Sequence, residues 1–162
     1  MSMWQDKKKP RPRSLRGFTY SVSTPLGKAF VTINENGESQ PFEVFINTAK
    51  AGSDTAAVSE AIGRLISYIL RLSSPVAPRE RLKEVFRQLS GIGGGRSLGF
   101  GPKRVRSFPD GVAQVLDEYL ENWFEREEAE RDGRANGKAV GEEPYVMEAR
   151  PAPEQPSLLK IG

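Results

Sequence analysis

The chain has 162 residues, a length that suits one domain with extensions. It contains no cysteine and no histidine, which excludes disulfides, thiol nucleophiles, Cys–His zinc sites, Ser–His–Asp triads and imidazole acid–base catalysis. The net charge of +3 is concentrated at the N-terminus, because residues 1–13 carry five basic side chains against one acidic side chain. The rest is close to neutral, which weakens any expectation that the folded part binds nucleic acid over a large area.

Residues 1–13 are predicted to form a flexible basic arm. Lys7, Lys8 and Lys9 precede two prolines that alternate with arginines. Proline and like charges favour an extended, solvated segment, so a linker is the first interpretation, and contact with phosphate or an acidic partner is the alternative. No apolar run resembles a secretory signal or reaches the length of a membrane span, so a cytoplasmic protein without a membrane partner is expected.

Three segments after the arm alternate apolar and polar residues with the period of a β-strand. They are centred on Phe18–Val22, Ala29–Ile33 and Phe42–Ile46. Turns at Thr24–Gly27 and Asn36–Gly37 separate them, because proline presets φ while glycine and asparagine tolerate positive φ. The pattern predicts three strands in an antiparallel meander.

The period changes to that of an α-helix after the third strand. Ser53 or Asp54 can cap this helix, because either side-chain oxygen accepts a hydrogen bond from the free N–H groups of the first turn. Lys50 and Asp54 bracket the preceding turn, where a helix cap and a surface lysine are favoured over a polar site. Gly63 in mid-helix predicts close packing on the sheet. The apolar stripe of the helix consists of Val58, Ile62, Leu65, Ile66 and Ile69.

Two further helices are predicted, one over Arg79–Ser90 and one that begins near Pro109 with Ser107 as its cap. Residues 14–126 are therefore expected to form an α+β domain of two layers, in which three helices cover a small antiparallel sheet of about three strands.

Residues 127–162 are predicted to be a mostly disordered tail, because they are rich in charge, glycine and proline. Two short apolar islands interrupt the tail at Tyr145–Met147 and Leu158–Ile161. Such islands can dock on a partner, but an incidental origin is the more common case.

A glycine-rich stretch, residues 91–110, joins the second and third predicted helices and carries six of the 16 glycines of the chain. It does not match a P-loop, because Pro102 separates the last glycine from Lys103 and no Ser or Thr follows. A dinucleotide fingerprint would follow a strand, whereas this stretch follows a helix.

Basic and aromatic residues alternate in the same stretch, a combination that could meet phosphate charge and stack on bases. The basic residues are Arg96, Lys103, Arg104 and Arg106. The favoured alternative is that Phe100, Val105 and Phe108 anchor the loop over the core while the basic side chains are solvated.

Several segments, taken in order, resemble one family. They are Leu15–Tyr20, Phe30–Glu35, Pro41–Ile46, Lys50–Gly52, Glu60–Ser67, Gln88–Ile92 and Ser107–Asp110. Between about Arg11 and Leu120 the chain is similar to the TSCPD domain, the C-terminal domain of adenosylcobalamin-dependent (class II) ribonucleotide reductases. The resemblance implies a role in deoxyribonucleotide synthesis and DNA replication. It also implies that catalysis belongs to a separate barrel, which holds the radical cysteines and the cobalamin.

The resemblance further implies four cysteine positions that look like a metal-binding set. In this chain they align with Leu26, Asp54, Gly94 and Phe108, so no metal site is carried over and no cofactor is expected. Leu26 and Phe108 suggest that apolar packing replaces the metal. Radical reduction of a ribonucleotide needs a cysteinyl radical and a dithiol, so the chain is not expected to be catalytic alone.

The first hypothesis is therefore a non-catalytic accessory subunit or detached C-terminal domain, whose partner is the large catalytic chain of a class II reductase. The alternative is a repurposed nucleic-acid- or nucleotide-binding module that acts through the basic arm and the arginine-rich glycine loop. An independent small enzyme is the weakest idea, because the sequence offers no convergent acid–base pair.

Overall fold

The computed structural model describes residues 8–49 and 52–133. Its elements follow the chain as β1 (Arg16–Thr24), β2 (Gly27–Glu35), β3 (Pro41–Thr48), α1 (Asp54–Arg71), α2 (Pro78–Leu89) and α3 (Phe108–Arg131), with a 3₁₀ turn at Gly101–Lys103. The predicted α+β class, with three antiparallel strands and three helices, is confirmed. None of the described helices has the length and apolar character needed to cross a membrane.

The strands form a meander in the order β1–β2–β3. Tyr20 lies opposite Val31, which lies opposite Ile46. Because successive side chains point to opposite faces, these residues share one face of the sheet, here called the inner face, with Ile33 and Val44. The inner face is buried at the centre of the core, where Val31 and Ile33 are fully inaccessible.

Helix α1 closes the free edge of β3. The hydroxyl of Ser67 accepts a hydrogen bond from the Val44 N–H at 2.9 Å and donates one to the Val44 carbonyl at 3.0 Å. An edge strand leaves such groups without a ladder partner, so one side chain here replaces a neighbouring strand. Gly63 permits the close approach, because a Cβ at this position would lie 3.0 Å from the Val44 carbonyl oxygen. The predicted role of Gly63 is confirmed.

The buried side of α1 differs from the predicted apolar stripe. Val58 and Leu65 are 54% and 64% exposed, so the prediction was wrong for both. The buried residues of the helix are instead Ser59, Gly63, Ile66 and Leu70. The predicted stripe included only apolar residues. Contact with a strand edge instead favours small residues, because they let the backbones of the helix and the strand approach each other.

Serine side chains cap α1 and α3. Ser53, rather than Asp54, caps α1, where its hydroxyl accepts a hydrogen bond from the Ala56 N–H at 3.2 Å. Ser107 accepts a hydrogen bond from the Asp110 N–H at 3.2 Å and so caps α3 as expected.

Helix α3 packs on the inner face and holds a buried carboxylate. Glu35, at the end of β2, is 7% exposed and accepts hydrogen bonds of 2.7 Å from the Tyr119 phenol and from Arg126. A buried carboxylate requires such partners. Burial raises the pKa of the Tyr119 phenol, and the hydrogen bond to Glu35 raises it further. Tyr119 therefore remains protonated at neutral pH and is a structural group.

The described part of the N-terminal arm is attached to the domain. The Lys9 N–H donates to the Arg71 carbonyl at 2.8 Å. Arg11 donates hydrogen bonds to both carboxylate oxygens of Glu43. The distances are 3.1 and 2.9 Å from Nε and 2.9 Å from Nη2. The Glu43 side chain is only 3% exposed. Residues 8–11 of the predicted arm are therefore fastened to the domain, by the bond from Lys9 to α1 and by the buried carboxylate of Glu43.

The first residues of the predicted tail belong to a helix. Helix α3 continues to Arg131, so residues 127–131 are helical rather than disordered. Lys7, Lys50 and the tail from residue 134, with both apolar islands, lie outside the described residues.

We expect Ser67→Ala to lower the free energy of unfolding by about 1–3 kcal/mol, because both backbone groups of Val44 lose their partner while they remain buried. Ser59→Ala is the matched control in the same helix, because the Ser59 hydroxyl bonds only to the Thr55 carbonyl one turn earlier. Urea denaturation measures both variants. Equal losses would contradict the role assigned to Ser67.

Candidate anion-binding loop

The glycine-rich segment between α2 and α3 folds back on itself. Leu98 and Val105 form an antiparallel bridge with two hydrogen bonds of 2.8 Å. Gly99 and Gly101 have φ values of +77° and +67°, a conformation that favours glycine and allows the chain to reverse at the 3₁₀ turn. Val105 is buried and anchors the returning strand. Residues 91–107 are called the glycine loop below.

A single buried carboxylate holds the base of the glycine loop. Asp110, in the first turn of α3, is 5% exposed. Its Oδ1 accepts from the Gly91 N–H at 2.7 Å, and its Oδ2 accepts from the Arg106 N–H at 2.8 Å. Ser107 also donates to the Ile92 carbonyl at 2.7 Å. Hydrogen bonds to an ionised acceptor are stronger than neutral ones, so Asp110 ties the two ends of the loop together.

Sequence reasoning assigned no role to Asp110. A signal was present, because Ser107 and Asp110 have the spacing of a capping box, with a serine cap and an acid three residues later. The structure uses this spacing differently, since the Asp110 carboxylate reaches beyond the cap to the N–H groups of the loop.

Three arginines surround a polar depression of about 340 Å³ over the glycine backbone. Its lining consists of Gly93, Gly94, Gly95, Arg96, Ser97, Arg104 and Arg106. Arg104 donates to the Ser97 hydroxyl at 2.8 Å. Within residues 8–49 and 52–133, none of the three arginines forms an ion pair with a carboxylate. Guanidinium groups suit phosphate and carboxylate geometry, so the depression is a candidate site for an anion.

The other predicted contact residues lie outside this depression. Lys103 is in the 3₁₀ turn and does not line it. Lys8 and Lys9 lie beside the C-terminal end of α1. Lys8 forms a β-bridge with Leu72, and the Lys9 N–H donates a hydrogen bond to the Arg71 carbonyl.

Phe100 was expected to anchor the glycine loop, and this prediction was wrong. Its side chain is 96% exposed, next to the 3₁₀ turn. Val105 and Phe108, the other two residues expected to anchor the loop, are buried, at 7% and 4% exposure. The bridge between Leu98 and Val105 turns the intervening residues away from the core, which local sequence composition does not reveal.

The four positions predicted to align with cysteines of the family have different surroundings. Leu26 is 61% exposed in the first turn, Asp54 is exposed at the start of α1, and Gly94 lines the arginine depression. Phe108 lies in the core, whereas Leu26 is exposed, and the replacement of a metal by apolar packing stays a prediction. Across the described residues, no group of three or more acidic side chains could hold a metal ion.

We expect Asp110→Ala to lower the free energy of unfolding by about 2–3 kcal/mol, because two N–H groups lose a charged acceptor. Arg104→Ala should change stability by less than about 0.5 kcal/mol, because the side chain is exposed. Amide hydrogen exchange at Gly91 and Arg106 provides the local measurement. Unchanged protection of these amides in Asp110→Ala would show that the carboxylate does not hold the loop.

We expect Phe108→Ser to destabilise the fold by about 2–4 kcal/mol, because a buried ring is removed from the core. Leu26→Ser is the control at another aligned position and should cost less than about 0.5 kcal/mol, because Leu26 is exposed. Thermal denaturation measures the loss of stability in each variant. Equal losses would contradict the different burial of Phe108 and Leu26.

Comparison with known proteins adds one finding. Residues 5–120 match the family model of the TSCPD domain. This range covers the sheet, α1, α2, the glycine loop and the first half of α3. Neither a curated protein nor a solved structure matches the chain. Because the family model matches well over half of its residues, this chain belongs to the TSCPD domain family.

Proposed function

We propose that this chain is a non-catalytic accessory subunit, or a detached C-terminal domain, of an adenosylcobalamin-dependent ribonucleotide reductase. The observation that carries the proposal is the family match over residues 5–120, which includes β1, β2, β3, α1 and α2 completely and α3 in part. The family is associated with such reductases, so the role proposed here is support of deoxyribonucleotide synthesis in complex with the catalytic chain.

The chemistry of the chain supports a non-catalytic role. The reaction requires a thiyl radical and a reducing dithiol, and the 162 residues contain no cysteine. The three buried carboxylates of the described residues are occupied by structural contacts, Glu35 with Tyr119, Glu43 with Arg11 and Asp110 with the glycine loop. We therefore assign to this chain a binding or positioning role within the reductase.

The tip of the glycine loop is the surface proposed to contact the catalytic chain. Phe100 is 96% exposed, and Leu98, two residues before it, is 42% exposed. Asp110 holds the base of the loop, so the segment that carries the Phe100 ring is already ordered and loses little conformational entropy on binding. Exposed aromatic side chains on a pre-organised support are typical of residues that dominate binding energy at interfaces.

Co-purification from the source cell tests this proposal. The tagged chain should retain a large cobalamin-dependent reductase, and Phe100→Ala should reduce the retained amount about tenfold or more. Leu65→Ala, which removes another exposed apolar side chain from the surface of α1, is the control and should retain it fully. Reductase turnover that is unchanged when this chain is deleted would overturn the proposed function.

A nucleotide- or nucleic-acid-binding module is the second candidate function. The supporting observation is the depression lined by Arg96, Arg104 and Arg106, three cations that have no carboxylate partner among the residues described. Phosphate oxygens would satisfy these guanidinium groups.

Fluorescence anisotropy with a labelled single strand tests the second candidate at about 50 mM and about 200 mM salt. If the depression binds phosphate, Arg96→Gln combined with Arg104→Gln should reduce affinity at least about tenfold. Lys83→Gln, on the exposed side of α2, is the control. A loss seen only on removal of residues 1–13 would assign binding to the arm instead.

A further inference from the structure

The face of the sheet opposite the core, here called the outer face, exposes two phenylalanine rings. Phe30 and Phe45 are 40% and 48% exposed. Phe45 lies opposite Thr32, and Phe30 lies opposite Asn47, so the two rings are diagonal neighbours on adjacent strands. Diagonal neighbours on one face are within reach of each other when the side chains are aromatic. The core lies on the other face, so packing of the domain does not explain these rings.

Polar side chains separate the aromatic rings on the outer face. Thr19 and Thr32 lie on adjacent strands, with their hydroxyl oxygens 2.9 Å apart. Ser21 and Asn47 are exposed on the same face. The centres of protein interfaces are depleted in lysine and serine, and this face exposes both, at Lys28 and Ser21. Nucleic-acid bases, in contrast, stack through their faces while their edges form hydrogen bonds, which suits a surface of mixed rings and hydroxyls.

A basic groove borders the outer face. It encloses about 710 Å³ between β3 and α1, and Phe45 and Asn47 are part of its lining. Four basic residues line it, Lys8, Arg11, Arg64 and Arg71, against two acidic residues, Glu43 and Glu60.

The two acidic residues are already neutralised by ion pairs, Glu43 with Arg11 and Glu60 with Arg64. Arg71 donates to the Lys9 carbonyl, an uncharged acceptor, and keeps its positive charge. Lys28 adds a cation on the outer face itself, 5.7 Å from the centre of the Phe30 ring. The surroundings of the two rings therefore carry excess positive charge, which complements a chain of phosphates.

We propose that the outer face binds a short single strand of nucleic acid, with bases stacked on Phe30 and Phe45 and phosphates along the groove beside Lys8 and Arg71. This inference does not depend on the association with a reductase. It gives the second candidate function a site on the sheet that is separate from the arginine depression.

The test measures anisotropy of labelled single strands of about 12 nucleotides, as DNA and as RNA, at about 50 mM salt. Phe45→Leu keeps an apolar side chain but removes the stacking ring, and we expect it to weaken binding about tenfold. Phe45→Tyr restores a ring and should bind within about twofold of the natural chain. Phe124→Leu, which removes an exposed ring from α3, should leave affinity unchanged.

Two further readouts identify the binding surface. The Lys8→Gln variant should reduce the slope of log affinity against log salt by about 0.7, the contribution of one phosphate contact on a single strand. The Phe45→Trp variant should show quenching of its added tryptophan fluorescence by unlabelled strand, because a stacked base contacts the indole. Unchanged melting temperatures establish that the variants are folded.

Each contrary outcome has a distinct meaning. Absence of binding at low salt overturns both this inference and the second candidate function, and leaves the reductase proposal standing. Binding that is lost with the arginine variants but retained by Phe45→Leu overturns the sheet site alone. A dimer in sedimentation that Phe45→Leu dissociates, with no strand bound, assigns the outer face to a second copy and also overturns the inference.

Discussion

The contact between α1 and the edge of β3 is the constraint on which the arrangement of the domain depends. Ser67 satisfies both backbone groups of Val44, and Gly63 removes the side chain that would keep the helix away. Because α1 lies at this edge, α2 and α3 complete the core on the inner face and the outer face is left to solvent. The groove beside Phe45 follows from the same contact, since α1 forms one of its walls.

Asp110 plays a comparable part for the glycine loop. Its carboxylate replaces what a longer sheet or a metal ion would otherwise supply, namely a rigid connection between the two ends of the loop. Since Asp110 holds the main chain, no ion pair of the three arginines is needed to close the loop, and their side chains are exposed at its surface.

Sequence reasoning predicted the features that depend on local pattern. Alternation identified the strands, and serine and proline positions identified the helix starts. It failed where residues distant in the chain meet. The bond from Tyr119 to Glu35 joins residues 84 positions apart, and the pair that fastens the arm, Arg11 with Glu43, spans 32 positions.

A second failure was the assumption that buried residues are apolar and that apolar residues are buried. The side of α1 that faces β3 is built partly from Ser59 and Gly63, which hydrophobic periodicity ignores. Phe100 shows the converse, because an aromatic residue was assumed to be buried and is almost wholly exposed. Small residues at close contacts and large apolar residues exposed to solvent both break the correlation between burial and apolar character on which such predictions rest.

The closed β3 edge also determines how copies of this domain can associate through their sheets. Within the part of the chain that the structure describes, β1 pairs only with β2, so its outer edge is the side on which the sheet can be extended. If two copies joined β1 to β1, each end of the combined six-stranded sheet would be a β3 edge already covered by α1. Growth by strand addition would stop at two, so the hydroxyl of Ser67 and the missing side chain of Gly63 protect the protein against open-ended sheet polymers.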